Sequence, residues 1–146
     1  MTTRLLPTRR PLLARALSLP CRRLGLAALI LAVPTLAEAQ NADDGKAVFN
    51  KCRACHQIGP GAKNLVGPEL NGLIGRKAGS VEGFNYSEGN KNSGITWDQA
   101  TFREYIKNPR AKIPNTKMVF PGIQDEKDIN DLLAFLEQYS ADGKTK

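Results

Sequence analysis

Histidine occurs once in this 146-residue chain, cysteine three times, methionine twice and tryptophan once. So few Cys and His side chains leave little from which to build a structural zinc centre, which takes four such ligands. Aromatic residues make up only 6% of the chain. Few aromatics and weak β-branched alternation argue against a domain built on sheets. The sequence holds no internal repeat and no low-complexity tract. Its apolar run, LGLAALILAVPTL at 24–36, is shorter than the ~20 residues that comfortably span a bilayer. What is present is concentrated. Cys52, Cys55 and His56 fall within five consecutive positions of KCRACHQ.

The first 23 residues, MTTRLLPTRRPLLARALSLPCRR, carry six arginines, no lysine and no acid. The apolar run and then AEAQ follow. A basic start, a short apolar stretch and an A-x-A ending describe a secretory signal peptide. Cleavage is expected after Ala39, making 1–39 the leader and Gln40 the first mature residue. An arginine-rich, acid-poor start also fits a mitochondrial address, but the A-x-A ending favours a bacterial periplasm. Cys21 would be discarded with the leader. Removing six arginines and Glu38 lowers the formal charge from +7 to +2. The basic character therefore belongs mainly to the leader and gives no argument for a nucleic-acid partner. Residues 40–146 suffice for one small domain. Its cysteines are Cys52 and Cys55, its histidine His56 and its methionine Met118.

The spacing C-x-x-C-H admits three readings. A redox dithiol is expected after a strand in a βαβ unit, whereas these flanks look helical and then glycine-rich. A zinc site lacks a fourth ligand once Cys21 is gone. A c-type haem attachment uses all three residues. Two thiols bond the haem, and the following histidine is at the right offset to reach the iron.

Helical signals surround the motif. ADDGKAVFNKC begins with acids and puts Val48, Phe49 and Cys52 on one side. TWDQATFREYIKNP predicts a helix opened by Thr96 and ended before Pro109, with Phe102, Tyr105 and Ile106 on one face. QDEKDINDLLAFLEQYS gives the clearest helix. Asp125 and Asp128 load its first turn, and Ile129, Leu132, Leu133 and Leu136 form its apolar face. Residues 57–95 read as loops with one short helix near 87–92. A loop-rich chain of this size buries little core, and a covalently held apolar disc would supply what is missing. Met118 sits in IPNTKMVFPG, a loop bracketed by Pro114 and Pro121 rather than an apolar helix face. That setting offers its thioether to an iron. A neutral sulfur ligand favours ferrous iron and raises the potential.

In order and at family spacing, GKAVFNKCRACH, VGPELNGLIGRKAG, FNYSEGNKNSGITW, YIKNP and IPNTKMVFPG resemble class I cytochromes c, close to the mitochondrial-type cytochromes of α-proteobacteria. The resemblance covers nearly all of 44–139. It implies an all-α cytochrome c fold, three main helices and loops wrapped around one haem c held by Cys52 and Cys55. It implies His56 and Met118 as axial ligands. It implies that the Pro68 carbonyl accepts from the His56 ring, a bond that fixes the tautomer. Arg76, Tyr86 and Trp97 match residues around a buried propionate, though Arg76 taken alone reads as a solvated loop arginine. Asn90, Tyr105 and Thr116 match a polar network about the sulfur, and Phe120 an aromatic shielding the haem edge. Gly45 and Phe49 should meet Leu132 and Phe135 where the terminal helices cross. Asn115 departs from the family's usual glycine, and asparagine tolerates positive φ better than most residues. Pro121 and Lys112 also differ from common mitochondrial choices.

The function implied is that of a soluble, monomeric periplasmic one-electron carrier. Its partners would be redox proteins: a quinol-oxidising complex, a terminal oxidase or a photosynthetic reaction centre. A haem enzyme or sensor working after Met118 leaves the iron is the alternative of a different class. Lys51, Lys63, Arg110 and Lys117 are expected to ring the haem edge and steer acidic partners, with Asp125, Glu126, Asp128 and Asp131 lying elsewhere.

Overall fold

The computed structural model describes residues 40–146. Residues 1–39, the expected leader with Cys21, lie outside the described residues. Among the described residues five helices follow one another: α1 (Ala42–Phe49), α2 (Glu88–Lys91), α3 (Gln99–Lys107), α4 (Pro109–Lys112) and α5 (Glu126–Glu137). Among the described residues, β pairing is confined to two isolated antiparallel bridges, Lys77 with Thr96 and Tyr139 with Thr145. The fold is all-α, and its three longer helices are those legible from periodicity.

Each helix starts on a side chain that satisfies its first amide groups. Asn41 caps α1, Ser87 α2, Asn108 α4 and Asp125 α5. The third start corrects the sequence reading. Asp98, not Thr96, caps α3, accepting from the Thr101 amide at 2.7 Å. Thr96 is committed to the bridge with Lys77, so extended backbone persists through Trp97. Helix α4 is an addition. Asn108 ends α3 and caps the next helix, and Pro109 follows at its first position, where no N–H is needed.

The first and last helices of the described residues, α1 and α5, cross to form the main helix–helix contact. Gly45 is the crossing point. A Cβ there would run into the Asp131 carbonyl and lie 2.8 Å from the Phe135 Cβ. The absence of a side chain lets Phe49 and Phe135 approach, with ring centroids 5.2 Å apart. Ile129, Leu132, Leu133 and Leu136 are all buried, as the α5 pattern required.

One polar residue fastens this crossing. Asp131, read from sequence as a surface acid, is only 1% exposed. Its carboxylate accepts from the Asn41 amide at 2.7 Å and from Lys127 Nζ at 2.6 Å. Burial pushes its pKa up, but Lys127 and the Asn41 N–H outweigh this and hold it below the usual carboxylate value. A carboxylate whose pKa is depressed by folding stabilises the fold above its unfolded pKa, near 3.9, and loses that contribution as pH falls through its folded value. Asp131→Asn should therefore lower the melting temperature at pH 7, by about 4–8 °C per kcal/mol lost. Thermal unfolding across pH should show the gap closing below about pH 4. A gap independent of pH would mean that the charge contributes nothing.

The loops between α1 and α2 are ordered by amide side chains. Asn71 brackets Gly59, accepting from its N–H at 2.7 Å and donating to its carbonyl at 3.1 Å. Asn64 accepts from the Glu69 amide and donates to the Glu82 carbonyl. Gln57 accepts from the Lys63 amide. Such bonds replace the ladders that a sheet would supply to buried backbone.

Candidate functional site

After α1 the chain continues in tight turns, with the Cys52 amide on Phe49 O and the Cys55 and His56 amides on Cys52 O. This coiling brings Cys52, Cys55 and His56 to one cavity of about 400 Å³. Both cysteines are free thiols. Leu70, Leu73, Phe102, Ile106, Leu132 and Leu136 contribute much of its apolar lining. The helix faces assigned to core thus also form its walls.

Burial pushes the Cys52 thiol up to about 11, against the downward pull of Lys51. Reactive C-x-x-C dithiols have the opposite shift, and this pair follows a helix rather than the strand of a βαβ unit, which together speak against a redox dithiol. Among the described residues no group of three or more His, Cys, Asp and Glu could hold a metal ion, which removes the zinc reading there.

The His56 ring is fixed. Its Nδ1 donates to the Pro68 carbonyl at 2.7 Å, leaving Nε2 as the nitrogen with a free lone pair. Burial lowers its pKa; the Pro68 bond opposes this and the Arg76 charge adds to it. The ring is therefore neutral at pH 7, as a ligand must be. Gly67 packs against its face. A Cβ there would lie 2.7 Å from both ring nitrogens. Gly67→Ala should tilt the ring, weaken its bond to Pro68 and cut the yield of haem-bearing protein. Haem absorbance per milligram of purified protein is the check, and a full yield with an unaltered spectrum would show that the ring has room to yield.

Met118 reaches the same cavity from the loop after α4. Asn115 turns that loop at φ +60°, the only positive φ outside glycine among the described residues. Thr116 Oγ1 accepts from the Met118 amide at 3.2 Å and donates to Asn90 Oδ1 at 3.0 Å. The Tyr105 hydroxyl donates to the Met118 sulfur at 3.1 Å. Asn90, Tyr105 and Thr116 thus gather around the thioether. Phe120 and Tyr86 also line the cavity.

Trp97 and Arg76 share one wall because their backbones pair. Gly75 N donates to Trp97 O at 2.7 Å, and Trp97 N to Arg76 O at 2.9 Å. Trp97 meets Tyr105 edge-on at 4.8 Å. Arg76 is no solvated loop arginine. Its guanidinium donates to Glu69 Oε1, Asn71 O and Glu69 O at 2.7, 2.7 and 2.9 Å. Glu69 and Gly67 are site residues that sequence reasoning missed. The VGPEL stretch drew attention only to Pro68.

The basic residues divide. Lys51 and Lys117 line the cavity. Lys63 lines a separate polar cleft, and Arg110 lies on α4. Neither is among the residues that line the cavity. Lys51 is paired with Asp128 at 2.8 Å, so an α5 acid stands beside a lysine expected to be clear of it.

The family model for cytochrome c matches residues 42–140. This chain belongs to the cytochrome c family. Cytochrome c2 of Blastochloris viridis is 59% identical over 110 residues, 75% of this chain and 87% of that protein. Cytochrome c-550 of Bradyrhizobium diazoefficiens is 65% identical over 102 residues, 70% and 75% of the two chains. Among solved structures, cytochrome cH from Methylobacterium extorquens matches with a TM-score of 0.63 at 43% identity, over 67% of this chain and 98% of that one. Cytochromes c bind haem c covalently through cysteines, and the residues here fit that group. An apolar cavity carries two free thiols, a neutral imidazole oriented by Pro68 and a thioether held by Tyr105.

Proposed function

We propose that residues 40–146 form an exported, soluble periplasmic carrier of single electrons, released from the leader 1–39, with His56 and Met118 as the axial ligands of a haem c attached to Cys52 and Cys55. One observation carries the reading: an imidazole and a thioether, each held by its own hydrogen bond, line the cavity that also receives both thiols. Bound haem supplies an iron that gains and loses one electron. The protein's own residues do the rest. Pro68 holds the His56 tautomer, and Tyr105 and Thr116 hold the Met118 side chain and amide. The apolar walls keep water from the group, and the thioether favours the reduced form. Were His56 and Met118 both to bind the iron, no position would remain for a substrate, which supports a carrier rather than an enzyme. Among the described residues no helix is long and apolar enough to cross a membrane.

Its partners are redox proteins: a quinol-oxidising complex as donor, and a terminal oxidase or photosynthetic reaction centre as acceptor. The docking face is the part of the cavity mouth near Lys51, Lys117 and the exposed Val66 and Val119. It acts as a monomer, with no role for nucleic acid. Absorption spectra of the exported protein in both redox states, with its mass, test the reading. Expected are c-type bands, a sulfur-to-iron band in the oxidised form and a chain beginning at Gln40 plus one haem. A mass equal to the bare chain ends the haem reading. Ready binding of small ligands to the wild type would favour an enzyme or sensor.

A further inference from the structure

Arg76 lines two spaces at once, the haem cavity and a separate, open polar cleft. Glu69 lines the cleft only. It therefore stands behind the arginine as seen from the cavity. Its carboxylate is held at both oxygens. Oε1 accepts from Arg76 Nη1 at 2.7 Å, and Oε2 from the Asn71 amide at 2.6 Å. The Asn71 carbonyl takes the second Nη1 hydrogen and the Glu69 carbonyl one from Nη2. Of the five guanidinium hydrogens, this leaves Nε–H and one on Nη2 without a partner among the described residues. The pair is well enclosed, the Arg76 and Glu69 side chains being 18% and 20% exposed, so water screens it less than a surface pair.

We propose that Glu69 is a positioning residue that sets the redox potential: it holds Arg76 in the cavity wall and offsets part of its charge. This rests on the haem reading above. Oxidised iron carries one more positive charge than reduced iron. A bare guanidinium nearby disfavours the oxidised form, and a carboxylate behind it relieves that effect. Glu69 thus keeps the potential below what Arg76 alone would give. It also fixes the planar fork that leaves two donors free for an acidic group of the cofactor.

The two charges act with opposite sign, which separates this role from packing. Glu69→Gln should raise the midpoint potential, changing the ratio of reduced to oxidised protein at fixed solution potential by about threefold to tenfold, where tenfold is about 59 mV for one electron. Arg76→Gln should lower it. If both residues merely seal the wall, either change admits water and the potential moves the same way in both. A Glu69→Gln potential that is unchanged or lowered, in protein with a normal c-type spectrum, overturns the proposal and leaves the haem reading standing. Absence of that spectrum from the wild type overturns both. Should Glu69→Gln fail to accumulate with haem, the double variant with Arg76→Gln replaces it. Its potential must exceed that of Arg76→Gln alone, and equality overturns the proposal.

Discussion

Met118→Ala should keep its haem, lose the sulfur-to-iron absorption band and fall in midpoint potential by well over the ~59 mV that corresponds to a tenfold change for one electron. Covalent attachment lies in Cys52 and Cys55, on a different segment, so deleting the thioether leaves it untouched. What disappears is a neutral donor that favours the ferrous state. The loop around it is independently built. Asn115 supplies the turn at φ +60°, and Thr116 binds the Met118 amide. The backbone should therefore survive, leaving a vacated position next to a Tyr105 hydroxyl that has lost its acceptor. Small ligands should then bind and peroxidase activity should emerge. Potentiometry with a ligand titration reads both effects. An unchanged potential would show that another group holds the sixth position. Tyr105→Phe provides a graded control, since it removes one hydrogen bond to the sulfur and leaves the sulfur in place.

The second large effect is on stability, at Gly45. Alanine is ordinarily the better helix residue, favoured over glycine by roughly 0.5–1 kcal/mol. Here that gain is overwhelmed. The added carbon would meet the Asp131 carbonyl, which is backbone, and Phe135 Cβ at 2.8 Å. No rotamer relieves a clash with a carbonyl in the middle of α5. The helices must separate, opening the Phe49–Phe135 contact and stretching the bond between Asn41 and Asp131. Overpacking typically costs about 1–3 kcal/mol, and a backbone clash lies at or above the top of that range. Gly45→Ala should thus lower the melting temperature by about 12 °C or more, at 4–8 °C per kcal/mol. Gly61→Ala is the contrast. Its added carbon meets nothing, and only its φ of +72° is strained, worth about 1–2 kcal/mol. Equal losses in the two variants would show that the close approach of the helices is unimportant.

How much of this was legible in the sequence varied with the range of the interaction. The C-x-x-C-H motif is local and was readable as chemistry before any fold was known. The longer helices announced themselves because two to three turns of periodicity, at about 3.6 residues per turn, rise above noise. The positive φ of Asn115 followed from the glycine usual at that place in the family and from the tolerance of asparagine for such a φ. Helix α4 did not announce itself, because four residues carry no period. The start of α3 was misplaced, since Thr96 has the residue type of a cap and Asp98 takes that place. Pairing of Thr96 with Lys77, nineteen positions away, decided it. Asp131 looked like one more solvated acid among its neighbours. Its burial depends on Gly45 and Asn41, far away in the chain. Glu69 was hidden for the same reason. Nothing in VGPEL reveals that an arginine seven residues on will lean against it. The basic ring was read by analogy with a surface, and surfaces depend on where every loop ends.

The bond between Asn41 and Asp131 spans 90 positions, and it closes residues 41–131 into a ring. Closing a flexible ring costs entropy that grows only with the logarithm of its length, about 0.6 kcal/mol for each doubling. Lengthening an exposed turn inside the ring, at Gly61 or Gly94 for example, is therefore a minor thermodynamic change. Cutting into either end is a different matter, because it removes the clasp and releases every segment between. Chain length can therefore vary at the exposed turns of the circumference, while α1 and α5 have no room to spare at their seam.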